Sequence, residues 1–194
     1  MEGTRMTAIA ALVEGASVYI GTDSAGVCEY RLYCEKAGKV FKTGSLLIAY
    51  TESFRMGQLL QYGTTGVKKL SSLTPPKTER TAFKFMVNEV VPVIRRTLKL
   101  GGCMKINLTS EEEISGILVA WKHFLFSVDI DLAVHEYREP YTASGCAEHC
   151  ILGSFYTTEK LKRKVSPEQR VLLALEAADR HYTAVSPPFH IMKT

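Results

Sequence analysis

The sequence predicts an α+β protein folded as a four-layer αββα sandwich, in which two antiparallel sheets pack face to face under helices on both outer faces. Apolar segments of strand length come first, two helical segments follow, and strands and then helices come again. The strand segments are joined by short turns and do not alternate with helices, so a parallel sheet of βαβ units is not expected. A chain of 194 residues suits one domain with a sizeable core.

The first half of the chain contains the first group of strands and the first two helices. Five strands are expected, over residues 8–13, 17–22 and 28–36 and as a pair within residues 39–51. The pair turns at Thr43-Gly44, where glycine supplies the backbone freedom that a tight turn needs. Ser53 is a suitable N-cap for a helix that runs to about Tyr62, and apolar residues at helical spacing predict a longer helix over 79–98.

The second half repeats this order. Strands are expected over residues 116–122, 124–129, about 132–137, about 141–146 and 189–193, and helices over residues 146–158 and 167–182. The last helix has the clearest start, because Ser166 is a suitable N-cap, Pro167 fits the first helical position and Glu168 favours the first turn.

The composition excludes several classes of function. The formal net charge is only +4, and the basic residues are dispersed apart from KLKRK at 160–164, so no nucleic-acid partner is expected. The apolar run ISGILVAW at 114–121 is too short to span a bilayer, and the N-terminus has no apolar signal core, so no membrane association is expected. Five cysteines, an odd number without an export signal, favour reduced thiols and a cytoplasmic protein.

One short sequence, CAEHC, has the residue types of a metal site or of a Cys–His dyad. Cys146, His149 and Cys150 lie on one face of a predicted helix. No second pair of ligands has the spacing that structural zinc requires, so we interpret these three as half-buried helix residues and expect no metal.

The start of the first hairpin raises the question of a threonine nucleophile. A threonine hydroxyl reacts poorly until a base removes its proton, and a threonine at the start of a chain carries its own base, the free α-amine. The ordinary pKa of that amine, about 7.7–8.0, suits a general base at neutral pH. A fixed cation beside the hydroxyl favours the alkoxide, and a carboxylate is then needed to hold the cation.

Thr7 has both partners at regular distances along the chain. Asp23 lies sixteen residues after Thr7, at the end of the second hairpin strand, and Lys39 lies thirty-two residues after it, at the start of a later strand. The hairpin returns Asp23 to the start of the first strand, and a third strand paired alongside would bring Lys39 in from its side. Thr4 and Thr64 lack such an acid, because the residues sixteen positions beyond them are Ile20 and Arg80.

This layout resembles the proteasome β-subunit family, including the bacterial HslV protease, in which a mature N-terminal threonine, an acidic residue and a lysine have these separations. The resemblance extends along nearly the whole chain and is greatest to short bacterial and phage-borne relatives. The similar segments are TAIAALVEGASVYIGTDSAG (the first hairpin), LLIAYTESFRMGQLL (the strand entering the first helix), GILVAWKHFLFSVDID (the central hairpin) and YTASGCAEHCILGSFY (the entry to the third helix).

The resemblance implies the fold of the N-terminal nucleophile hydrolases and the activity of a threonine peptidase. It implies Thr7 as the nucleophile, Lys39 as the cation that lowers the pKa of its hydroxyl, and Asp23 as the residue that orients Lys39. Alignment on the strand LIAYTES assigns the backbone N–H of the oxyanion hole to Ala49, where the family usually has glycine. Cys146 replaces the serine that contacts the threonine amine, and a supporting late aspartate falls near a histidine, His181.

The resemblance also implies partners. We expect a homo-oligomeric ring that hydrolyses polypeptides, with an ATP-dependent unfoldase as a candidate partner, and no cofactor. Residues 1–6 are expected to be an N-terminal extension or propeptide and residues 7–194 a single proteasome-like domain.

Two other functions stay open at this point. A catalytically silent structural or interaction subunit is favoured by the retained sequence MEGTRM, by Cys146 and by Ala49. An amidase of the same superfamily that acts on a small amide is the second alternative, although Lys39 fits the peptidase branch better.

Overall fold

The computed structural model describes residues 7–28, 31–63, 69–106, 112–161 and 165–194. The strands in these ranges are β1 (Ala8–Glu14), β2 (Ser17–Thr22), β3 (Ala25–Cys28), β4 (Arg31–Cys34), β5 (Val40–Thr43), β6 (Leu46–Tyr50), β7 (Lys105–Ile106), β8 (Glu112–Glu113), β9 (Ile117–Trp121), β10 (Phe124–Val128), β11 (Val134–His135), β12 (Tyr141–Gly145) and β13 (His190–Lys193). The α-helices are α1 (Phe54–Tyr62), α2 (Glu79–Phe85), α3 (Val91–Leu100), α4 (Glu148–Lys160) and α5 (Pro167–His181).

Two antiparallel sheets contain most of these strands. Sheet I has the strand order β12-β1-β2-β13, and sheet II has the order β11-β10-β9-β6-β5. Strand β1 is therefore internal to sheet I, where Ala8 pairs with Gly145 of β12 and Ile9 pairs with Thr22 of β2. The strands nearest the two chain ends, β1 and β13, both pair with β2.

Three apolar clusters hold the four layers together. Between the sheets, Ile9 of sheet I and Leu118 of sheet II belong to one cluster. Leu12 on the other face of β1 packs with α4 and α5, and Trp121 of sheet II packs with α1, α2 and α3. Because successive strand residues point to opposite faces, β1 buries both faces, which explains its unbroken apolar sequence. The predicted αββα sandwich is confirmed.

The long helical segment predicted over residues 79–98 is present but irregular. Helix α2 continues through a π-helical turn, Met86–Val90, into α3, which ends at Leu100. Pro92 explains the irregularity, because proline cannot donate to the carbonyl four residues earlier and its ring clashes with the preceding turn. A wider π turn directly before Pro92 accommodates the ring without ending the helix.

Other sequence predictions differ in detail. Residues 28–36 were expected as one strand, whereas the chain forms the β3–β4 hairpin there. The strand expected over 132–137 is only two residues long, because the Asp129 N–H donates to the Ala133 carbonyl and closes a turn in front of it. The start of α5 is as expected, with Ser166 Oγ accepting the Gln169 N–H at 3.2 Å.

A matched pair of helix glycines tests the packing of α1 on sheet II. A Cβ on Gly57 of α1 would lie 2.0 Å from the buried ring of Tyr50, whereas a Cβ on Gly153 of α4 would meet no atom within 4 Å. We expect Gly57→Ala to destabilise the fold by about 1–3 kcal/mol through overpacking. Gly153→Ala should stabilise it by up to about 1 kcal/mol through helix propensity. Urea denaturation of both variants measures the difference, and equal stabilities would contradict the packing described here.

Candidate active site

Thr7 lies directly before β1 and contacts the chain at the end of β12. Its carbonyl oxygen accepts the backbone N–H of Cys146 at 2.9 Å. Gly145 permits this approach, because its φ is +100° and a Cβ there would lie 1.8 Å from the Thr7 carbonyl oxygen. Thr7 is 0% exposed. The geometry of β12 therefore fixes the position of the backbone from which the candidate nucleophile projects.

The buried Asp23 carboxylate connects the residues around Thr7. Its Oδ1 accepts the backbone N–H of Ala8 at 3.0 Å, and its Oδ2 accepts that of Ala25 at 3.0 Å. Lys39 Nζ donates to the same carboxylate, at 3.0 Å from Oδ1 and 3.3 Å from Oδ2. The lysine ammonium is thus anchored to the oxygen that also holds the peptide N–H following Thr7.

Lys39 reaches this carboxylate from the other sheet. The sequence suggested a strand paired beside the β1–β2 hairpin, but the residues after Lys39 form β5, which pairs with β6 in sheet II. The Lys39 backbone N–H donates to Thr22 Oγ1 at 3.2 Å, which ties the start of β5 to the end of β2. Its Nζ also donates to the Ala25 carbonyl at 2.6 Å and lies 5.6 Å from the centroid of the Phe54 ring.

Burial sets the electrostatics of this pair. Removal from water raises the pKa of Asp23, while the positive charge of Lys39 and the two backbone N–H donors oppose the rise. Removal from water likewise lowers the pKa of Lys39, opposed by Asp23. Lys39 is 1% exposed and Asp23 0%, so neither charge is screened by solvent. A lysine with a lowered pKa can change its protonation state nearer to neutral pH than an exposed lysine.

A backbone N–H donates to the Thr7 hydroxyl from a residue that the sequence did not indicate. Ala49 is fully buried within β6, where it pairs with Val40 on one side and Leu118 on the other. The N–H directed at Thr7 Oγ1 belongs to Glu52, at 3.2 Å. Glu52, three residues beyond Ala49, thus supplies a backbone donor to the Thr7 hydroxyl, and the assignment of the oxyanion donor to Ala49 stays a prediction.

The conformation at Glu52 explains why this donor points at Thr7. Glu52 has φ 62°, a left-handed conformation that favours glycine, and its side chain is exposed. It directly precedes Ser53, the N-cap of α1, whose hydroxyl accepts the Met56 N–H at 3.1 Å. A helix N-terminus carries partial positive charge, so this position also favours a developing negative charge. A glutamate does not indicate a left-handed conformation in a sequence. The only sequence signal near this donor is Ser53, which predicts the start of a helix directly after Glu52.

Cys146 contacts the carbonyl oxygen of Thr7, whereas the resemblance implies a contact with its amine, and His181 has no described contact with either residue. The Cys146 Sγ lies 3.6 Å from the Thr7 carbonyl oxygen. Burial raises the pKa of the Cys146 thiol, so it stays protonated and acts as a weak donor. His181 is the exposed last residue of α5.

These residues can support nucleophilic chemistry at Thr7. The Glu52 N–H lies near the hydroxyl, and an ammonium held by a carboxylate lies beside the backbone that follows it. Such a set favours an alkoxide on threonine and an oxyanion next to it. The described residues contain no group of three or more His, Cys, Asp or Glu side chains suited to a metal ion.

Known proteins share the fold at low sequence identity. No family model and no curated protein matches the chain. Two similar solved structures are of the bacterial proteasome-like protein BPH from Thiobacillus denitrificans. The structure in complex with epoxomicin has a TM-score of 0.76 and 15% identity over 96% of this chain and 97% of that chain. The other has a TM-score of 0.75 and 16% identity with the same coverage.

A third similar structure is the eukaryotic HslV of Trypanosoma brucei. Its TM-score is 0.64, with 12% identity over 96% of this chain and 98% of that chain. The chain therefore has the αββα fold of the N-terminal nucleophile hydrolases, and the resemblance to proteasome-like and HslV proteins is confirmed at the level of the fold. Among the described helices, none has the length and apolar character needed to cross a membrane.

The buried ion pair can be tested through stability. Replacing Asp23 with Asn leaves the Lys39 ammonium buried without its anion, and we expect a loss of about 3–5 kcal/mol in the free energy of unfolding. Asp23→Asn combined with Lys39→Met removes both charges and should recover part of that loss. Urea denaturation provides the measurement.

An exposed ion pair provides the control. Glu112 binds Lys99 at 2.8 Å on the surface, where solvent screens the charges, so Glu112→Gln should change stability far less than Asp23→Asn. Equal losses in the two single variants would mean that the Asp23–Lys39 pair does not hold the sheets together.

Proposed function

We propose that this chain is a threonine peptidase of the proteasome/HslV type, with Thr7 as its nucleophile after removal of residues 1–6. The observation that carries this proposal is the buried Asp23–Lys39 pair, anchored beside Thr7, together with the Glu52 N–H directed at the Thr7 hydroxyl. A buried ion pair is a poor general stabiliser, because desolvation offsets much of its attraction. Buried ionisable groups with shifted pKa values occur preferentially at functional sites, which supports a catalytic role here.

The proposed reaction needs only groups at this site. The free α-amine of Thr7 accepts the proton of Oγ1 as Oγ1 bonds to the substrate carbonyl carbon, and the Glu52 N–H donates to the resulting oxyanion. The amine then gives the proton to the departing amine as the C–N bond breaks, which leaves an ester on Thr7. Water attacks the ester with the same amine as base and regenerates the hydroxyl. Lys39 favours the alkoxide, and Asp23 holds Lys39.

The proposal includes the state of the chain in the cell. Residues 1–6 form the extension that is removed, and residues 7–194 form the catalytic domain. While Met6 is bonded to Thr7, the nitrogen of Thr7 is an amide and cannot act as a base. We further propose a cytoplasmic homo-oligomeric ring that receives polypeptides, with an ATP-dependent unfoldase as its partner.

The second candidate function is a catalytically silent subunit with the same fold. It is favoured by Cys146, whose protonated thiol is a weaker partner for the Thr7 amine than a hydroxyl, and by the complete burial of Thr7. A small-amide hydrolase is the third candidate. Parallel assays on peptides and small amides separate the two enzymes.

Removal of the extension is the first prediction of the peptidase proposal. We expect the intact mass of the purified, untagged protein to correspond to a chain beginning at Thr7, and this protein to hydrolyse unstructured peptides. Thr7→Ala should abolish hydrolysis, and Lys39→Ala should reduce it by about a hundredfold or more, because the alkoxide loses its cation. Thr157→Ala, an exposed threonine on α4, is the matched control and should retain full activity.

Two results would contradict this proposal. One is a protein that keeps residues 1–6 and has no activity, which supports the silent subunit. The other is hydrolysis that persists in Thr7→Ala, which places the chemistry elsewhere. Native mass spectrometry of the same sample measures the subunit number and tests the proposed ring.

The peptidase proposal also predicts the pH dependence of kcat/KM. Activity should rise with pH as the α-amine of Thr7 loses its proton, near its ordinary pKa of about 8, because only the neutral amine accepts the hydroxyl proton. Activity should fall at higher pH as Lys39 loses its charge. Burial lowers the pKa of Lys39, so this fall should begin below the ordinary range of lysine. An active Lys39→Arg variant should lack the fall, and an unchanged fall would exclude Lys39 as its cause.

A further inference from the structure

A pocket of about 280 Å³ is lined in part by residues of β12. Gly145 lines it, and a Cβ on Gly145 would collide with the Thr7 carbonyl oxygen. Thr51 also lines it and directly precedes Glu52, whose N–H reaches the Thr7 hydroxyl. Thr7 itself is buried and does not line the pocket, but two separate parts of the chain connect the pocket lining to the surroundings of Thr7.

The size and floor of the pocket suit one long side chain. Its volume lies just below the range of about 300–1,000 Å³ typical of pockets for small-molecule ligands. Gly116 forms part of the lining, and a Cβ there would meet Ser144 Oγ at 3.3 Å and Thr51 Oγ1 at 3.4 Å. The absence of a side chain at Gly116 thus leaves room between two hydroxyl groups.

The charges around the pocket are negative. Asp129 and Glu148 line it, both are exposed, and the described lining residues include no lysine or arginine. Asp129 Oδ2 lies 3.3 Å from His135 Nε2, whereas no described residue forms an ion pair with Glu148. Glu148 lies in the first turn of α4.

We propose that this pocket binds a lysine or arginine side chain of the polypeptide substrate, next to the bond that Thr7 cleaves. The inference rests on the proposed peptidase function and adds a substrate preference to it. A long cationic side chain fits a pocket whose hydroxyl groups can accept its N–H donors and whose two carboxylates face its charge. Because both carboxylates are exposed, the preference should weaken as salt rises.

Cleavage of paired peptides tests the preference. The two peptides of each pair carry lysine or norleucine at one position flanking the cleaved bond, so they differ in charge but hardly in stem length. We expect kcat/KM to favour lysine about fivefold to tenfold at low salt, as two exposed ion pairs allow. The ratio should fall to about one in Asp129→Asn with Glu148→Gln. Glu176→Gln, an exposed carboxylate on α5, is the control and should keep the full ratio.

Binding provides a readout that does not need catalysis. Fluorescence anisotropy of the same peptides with the full-length Thr7→Ala variant should show the same preference for lysine, and the two carboxylate substitutions should remove it. Equal binding of both peptides, or a preference that survives these substitutions, would overturn the inference. A lysine preference that depends on Asp129 and Glu148 in a protein without hydrolysis would support the pocket and contradict the peptidase.

Discussion

The buried Asp23–Lys39 ion pair is the interaction on which the rest of the site depends. The carboxylate holds the N–H of Ala8 in β1, the N–H of Ala25 in β3 and the ammonium that arrives from sheet II. One side chain therefore fixes the start of the first strand, the exit from the second strand and the spacing between the sheets. Thr7 takes its position from this arrangement and from Gly145.

The free-energy balance of a buried ion pair explains why such a pair is better suited to a functional site than to a hydrophobic core. Two buried charges lose hydration, and their attraction compensates for that loss only when their remaining hydrogen-bonding groups are satisfied. Here the Asp23 carboxylate accepts two backbone N–H groups, and Lys39 donates to the Ala25 carbonyl as well. The chain thus holds a charge next to Thr7 without water, where electrostatic effects are strongest.

The order of the layers and the approach of Asp23 to Thr7 could be predicted from the sequence, because strand lengths and hairpin turns determine both. A hairpin returns Asp23 to the residue after Thr7, and this geometry depends only on turn position and register. The path of Lys39 could not be predicted, since spacing along the chain does not distinguish pairing in one sheet from contact across two.

The backbone N–H at the Thr7 hydroxyl and the pocket could not be predicted from the sequence, for different reasons. Assigning Ala49 assumed that the donor lies within a strand, whereas the N–H at Thr7 comes from Glu52 in a left-handed conformation that the residue type does not indicate. The pocket combines residues from five separated segments, which contain Thr51, Gly116, Asp129, Tyr137 and Gly145. These residues become neighbours only through tertiary packing, and no local sequence pattern predicts that packing.

The central place of β1 in sheet I has a consequence for the order of folding. Ala8 pairs with Gly145, so the first strand to be synthesised obtains one neighbour only after a further 137 residues (145 minus 8). Contacts between such distant segments form slowly, because the entropy of closing a long loop is lost before the contact stabilises the chain. The surroundings of Thr7 are therefore complete only when nearly the whole chain has assembled. A partly folded or truncated chain therefore cannot hold Thr7 in the geometry described here.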